Sequence, residues 1–242
     1  MHLFVVSALA QTPWHHQCNK SEGESMRVIN AAYNPHSITF TLSNFTNQID
    51  PRSANLAEYE INYTRAGDWT TLSILFIPNL EQITGAAGAC TYPFPPENLP
   101  QVLLRPESDI VNDRCLIDMA LLPGGHRWNQ TEGGYHPNPD PKIKVELYGQ
   151  VPKKAEGKIA VHEIGHWMGL LHPWGVDNLG GSQESLSQSV FPCDGPGDYV
   201  DDTPAQSRKW ADCPDPWTNS CPKQHKGPDD LRNFMGYADD KW

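Results

Sequence analysis

Apolar and polar positions alternate strictly in Ser37-Ile38-Thr39-Phe40-Thr41-Leu42, and the run is rich in β-formers. That period of two predicts a strand with one buried face. Thr70–Ile77 (TTLSILFI) ends in a nearly continuous apolar run, which predicts a central strand covered on both sides. Residues 1–10 (MHLFVVSALA) form a third strand candidate. The same run, with Ala8-x-Ala10 at its end, also reads as a signal peptide, but no Lys or Arg precedes its apolar core, so strand is preferred. Residues 110–122 predict a further strand region, and turn-rich 85–96 an edge segment. Met26, Ile29 and Tyr33 share one helical face, predicting a helix over 24–34 that Pro35 closes. Residues 11–24, with His15, His16 and Cys18, read as polar loop, and 54–62 as a short helix. Lys142–Tyr148 alternates and suggests a hairpin arm inside the otherwise unpatterned stretch 124–157; Gly180-Gly181 marks a second such loop over 173–192.

The most specific stretch is residues 162–172, HEIGHWMGLLH. It lies on a predicted helix over 154–170, where Ile159, Ile164, Met168 and Leu171 supply packing. His162 and His166 are four apart, so both project from one helix face. Gly169 suits the left-handed residue that stops a helix and turns the chain back. His172 then arrives from outside the helix as a third ligand. Three imidazoles leave one position of a tetrahedral Zn²⁺ open, the mark of a catalytic zinc. Glu163, beside the first ligand, is placed to act as general base on water and then to carry its proton to the leaving amine. A zinc so held would lower the pKa of a bound water to about 7.

Composition narrows the setting. The net charge of −11 argues against nucleic acid and against an anionic membrane surface as partners. No stretch is long and apolar enough to span a bilayer. The six Cys (18, 90, 115, 193, 213, 221) contain no CxxC pair, so disulfides in an oxidising compartment fit better than a zinc finger. Sequons at Asn19, Asn44, Asn62 and Asn129 add weak support for a secreted glycoprotein. Asp198, Asp201 and Asp202, with Thr203, are hard oxygen donors of the kind Ca²⁺ prefers.

HExxHxxGxxH is the metzincin signature, and Asn233-Phe234-Met235-Gly236-Tyr237 matches its companion Met-turn. His166-Trp-Met-Gly-Leu170, Gly197-Asp-Tyr-Val-Asp-Asp-Thr-Pro204, Gly88-Ala-Cys-Thr-Tyr-Pro93 and Leu122-Pro-Gly-Gly125 resemble the pappalysin (cytophagalysin) family, most of all its secreted fungal members. The resemblance implies an α+β metzincin-like zincin: a twisted, mixed but mostly parallel sheet with the zinc helix in an upper lobe of about 1–169, and an irregular, disulfide-tied lower lobe of about 170–242, with a cleft between them. It implies a monomeric zinc endopeptidase that binds a peptide or protein substrate as an extended strand along the edge near Cys90. It further implies Cys90–Cys115 and Cys193–Cys221 bridges, calcium on Asp198, the Val200 carbonyl and Thr203, Met235 as apolar floor under the imidazoles, and Tyr237 near the metal, either as a zinc ligand without substrate or as oxyanion donor. The family partner of Cys213 falls at Trp242, so Cys213 is either free or paired with Cys18. That departure, with two loop insertions, motivates the rival reading of a catalytically degenerate secreted zinc protein that acts by protein interaction; the intact Glu163 argues against it.

Overall fold

Four of the five strands of the main sheet run parallel, which places the chemistry-bearing helix after a series of crossovers. The computed structural model describes residues 2–9, 15–49, 71–77, 80–92, 113–124, 126–127, 153–175, 191–210 and 214–238. In chain order these contain β1 (His2–Leu9), α1 (His15–Tyr33), β2 (Thr41–Ile49), β3 (Thr71–Ile77), α2 (Leu80–Thr84), β4 (Gly88–Cys90), β5 (Arg114–Asp118), β6 (His126–Arg127), β7 (Lys153–Lys154) and α3 (Lys158–Trp167). The sheet order is β2-β1-β3-β5-β4, with β6 and β7 forming a separate antiparallel pair. β1 pairs parallel with β2 and β3, β3 pairs parallel with β5, and only β4 runs antiparallel. This is the expected α+β, mostly parallel sheet.

Residue contacts divide the chain into two units, Met1–Ile164 and Gly165–Trp242. In the first, β3 is the middle strand and is buried at all seven positions, as its continuous apolar run predicts. Leu72, Ile74 and Ile77 of β3, Ile117 of β5, Ile29 of α1 and Ile164 of α3 are fully buried. The Tyr33 hydroxyl donates to the Val161 carbonyl at 2.9 Å and so ties α1 to α3. Asp118 anchors the other end of the sheet: its carboxylate accepts from Glu81 N and Ala120 N, at 2.9 and 2.8 Å.

Three expectations need correction. The strand predicted over 37–42 begins at Thr41 and runs to Ile49. Ser37 is left-handed, with φ of 63°. The Asn30 side chain grips Phe40 on both sides, accepting from its N–H at 2.8 Å and donating to its carbonyl at 3.0 Å. Those groups cannot then join a ladder, and the Phe40 ring packs edge-on against Tyr33 at 5.4 Å. Residues 15–24, read as loop, are the first half of α1, which ends at Tyr33 just before Pro35. The helix expected over 154–170 is shorter, Lys158–Trp167. The expected helix at 54–62 and arm at 142–148 lie outside the described residues.

In the second unit no helix or strand follows α3 among the described residues. Cys193–Cys221 crosslinks it, as Cys90–Cys115 crosslinks the edge of the sheet; both bridges match the expectation. Its polar centre is Asp229, 3% exposed. This carboxylate accepts from Trp210 Nε1 at 2.6 Å and from Ser220 Oγ at 2.7 Å. A buried charge held by several donors substitutes for regular structure in ordering the loops. Cys213 lies outside the described residues. No helix among the described residues is long and apolar enough to cross a membrane.

Candidate metal centre

Helix α3 carries His162, Glu163 and His166, all buried. Its end is closed by Gly169, with φ of 96°. Gly169 N–H donates to His166 O and Leu170 N–H to Gly165 O, both at 2.9 Å, which is a Schellman closure. The same turn fixes a ligand. His166 Nδ1 lies 2.9 Å from the Leu170 carbonyl, which can only accept, so Nδ1 carries a proton and the neutral ring keeps its lone pair on Nε2. That Nε2 is 3.1 Å from His172 Nε2. Two nitrogens bound about 2.0–2.1 Å from one tetrahedral ion stand about 3.3 Å apart, so the pair is already spaced for a shared metal. The ligand atoms of His162, His166 and His172 all lie within 4.8 Å of one another, and among the described residues they are the one such group of His, Cys, Asp or Glu. Three neutral imidazoles are a donor set that zinc accepts.

Glu163 is the buried carboxylate of this helix. Burial pushes its carboxyl from 4.5 up to about 8, so in the metal-free protein it holds its proton at neutral pH. A cation held by the imidazoles beside it would act in the opposite sense. Its Oε2 is buried without a hydrogen-bond partner. Gly88 of β4 makes room for it: a Cβ there would come within 2.6 Å of Glu163 Oε1 and 2.7 Å of its Cγ. The edge strand is held at that approach by the Cys90–Cys115 bridge and by Thr91, whose hydroxyl donates to Arg114 O and accepts from Arg114 N, both at 3.0 Å.

In the second unit, Met235 is buried and faces Gly165, where any Cβ would strike its Sδ. Asn233 Oδ1 accepts the Met235 N–H at 2.9 Å, which closes the turn locally. Two residues on, the Tyr237 ring meets the His172 ring edge-on at 4.8 Å. Trp174 stacks on the other ligand surface, 4.7 Å from His172 at an interplanar angle of 17°. Trp174 and Gly88 were not singled out as site residues by the sequence. A bulky aromatic two residues past the third His was the available signal for the first; Gly88 had none, because the clash is with a residue 75 positions away. Asp198, Val200 and Thr203 share one turn: Asp198 Oδ1 accepts Val200 N–H at 3.0 Å and Val200 O accepts Thr203 N–H at 3.1 Å.

No family model matches the chain. Curated relatives do. It is 29% identical over 224 residues to an extracellular metalloprotease of Arthroderma benhamiae, covering 92% of this chain and 60% of that protein. It is 30% identical over 226 residues to an extracellular metalloprotease of Colletotrichum graminicola, covering 92% and 62%. Among solved structures, mature mirolysin of Tannerella forsythia in complex with a cleaved peptide aligns with a TM-score of 0.59 at 20% identity, over 99% of this chain and 84% of that one. The chain is homologous to fungal proteins named extracellular metalloproteases and shares the fold of mirolysin. A second mirolysin structure aligns at a TM-score of 0.61. This metalloprotease homologue spans about 60% of the length of the curated relatives it matches.

Proposed function

We propose that this chain is a zinc-dependent endopeptidase that hydrolyses peptide bonds of extracellular proteins. The observation that carries the reading is the convergence of three imidazole donors next to a buried carboxylate with an unpartnered oxygen. A zinc ion at the triad would supply Lewis acidity and lower the pKa of a water. Beside it, Glu163 is the carboxylate that would accept a proton from water and pass it to the leaving amine. His166 is oriented by its bond to Leu170 O, and Tyr237 is the side chain we assign to the developing oxyanion. The edge strand β4, backed by β5, offers its outer backbone groups to an extended substrate. The relatives' names support secretion, and two disulfides among the described residues suit an oxidising compartment. We further assign the turn at Asp198, Val200 and Thr203 to a structural Ca²⁺, on the strength of its hard oxygen donors; a melting temperature that ignores added Ca²⁺ would remove that assignment.

The test is zinc stoichiometry and peptide cleavage on one purified sample, with and without chelator. About one zinc per chain and chelator-sensitive cleavage are expected. Glu163→Gln abolishes turnover and keeps the zinc. Tyr237→Phe lowers turnover and keeps the zinc; an unchanged rate would make Tyr237 structural. Zinc without cleavage in the unaltered chain, cysteines oxidised and Ca²⁺ present, would favour a binding protein over a protease.

A further inference from the structure

His172 is the one ligand of the triad that no helix supports. It follows the helix-ending turn, and among the described residues its backbone forms a bridge to Gly175, whose N–H donates to the His172 carbonyl at 2.7 Å. Aromatic rings pack on its imidazole from two sides. Trp174 stacks on it, and Tyr237 meets both rings edge-on, each at 4.8 Å. Phe191 extends the cluster, 6.3 Å from Trp174. Rings alone slide easily past one another. Here the Lys209 ammonium stands 5.9 Å from the Trp174 centroid, 5.5 Å from Phe191 and 6.0 Å from Tyr237. One cation thus draws on the π-faces of three rings at once, each at a range where cation–π attraction operates.

We propose that Lys209 is a positioning residue for the metal: by clamping Trp174, Phe191 and Tyr237 it fixes the His172 ring as third ligand. The proposal rests on the three-histidine zinc reading, since without a metal there is nothing for His172 to be aimed at. Its sign is informative. Coulomb repulsion alone predicts that removing a nearby positive charge tightens the binding of a divalent cation. The clamp predicts the reverse, because misorienting a ligand by loss of its outer support costs about 10–100-fold in metal affinity.

The experiment is competition for Zn²⁺ between a chromogenic chelator and the full chain, as wild type, Lys209→Met and Lys209→Arg, alongside visible absorption of the Co²⁺-loaded proteins and metal-free unfolding. Met keeps the stem length without the charge; Arg keeps the charge and its affinity for ring faces. Lys209→Met is expected to bind zinc about 10-fold more weakly and to shift the cobalt bands, with Lys209→Arg close to wild type. The metal-free unfolding midpoints of the two variants are expected to agree. Equal or tighter zinc binding by Lys209→Met overturns the proposal, as does a metal-free midpoint that falls in parallel with affinity. If Lys209→Met does not fold, Phe191→Leu removes one ring of the clamp instead; a smaller loss in the same direction supports the proposal and unchanged affinity overturns it. A wild-type chain that binds no zinc would instead overturn the underlying metal reading.

Discussion

At the scale of single residues, the arrangement depends on side chains that are missing as much as on those present. Glu163 has room only because Gly88 lacks a Cβ. Gly88→Ala leaves the three imidazoles untouched but pushes the carboxylate from its place. Displacement of a catalytic group by about 1 Å can cost on the order of 100-fold in rate, so Gly88→Ala should lower kcat/KM by about that factor while zinc content stays near one per chain. Steady-state kinetics with metal analysis on the same sample decides it; full activity in the Ala variant would mean that Glu163 can shift without consequence. The histidines were legible from spacing alone, since positions four apart on a helix must share a face. The proton on His166 Nδ1 was not, because it depends on where the Leu170 carbonyl points.

At the scale of elements, α1 and α3 are joined by a phenol. Tyr33 is buried, and burial alone holds its hydroxyl well above the ordinary phenol range. A raised folded-state pKa means that the unfolded chain loses this proton first. The contribution of Tyr33 is therefore fully present below about pH 10 and declines as pH rises beyond it, by about 1.4 kcal/mol per pH unit. Tyr33→Phe gives up the bond to Val161 O, about 1 kcal/mol near neutrality, but loses less stability on going to high pH. Urea unfolding of both proteins near pH 8 and near pH 11 tests this, and parallel losses would assign the alkaline sensitivity to other groups. The sequence placed Tyr33 on the buried face with Ile29, and β3 at the centre, because local periodicity reports burial. It misjudged β2 and the start of α1. In the first case an Asn30 side chain ten residues away claimed the backbone of Phe40. In the second, a polar stretch carried no apolar period to announce a helix.

At the scale of the whole molecule, the described residues of the unit Gly165–Trp242 have almost no ladder hydrogen bonding to rely on. Its order rests on the Asp229 network and the Cys193–Cys221 bridge, which closes a sequence separation of 28. Loop-closure entropy gives such a bridge about 3–4 kcal/mol. Replacing both cysteines by Ser should lower stability by about that amount and weaken zinc retention, because His166, His172 and Met235 belong to this unit. Calorimetry of the double variant against wild type measures it; an unchanged midpoint would show that Asp229 and its donors suffice.

The sequence by itself determined the three-histidine cluster. Residues 162–172 are contiguous, so helix geometry and one glycine at Gly169 bring donors together without help from distant chain. It also determined the parallel core, since β3 announces two-sided burial in its own composition. Only the tertiary structure decided what surrounds those donors. The approach of Gly88 to Glu163, the stacking of Trp174 on His172 and the reach of Lys209 across three rings join residues that are distant in sequence or follow no period. Local pattern encodes which face of an element is buried; it does not encode which residue of another element will be found against it.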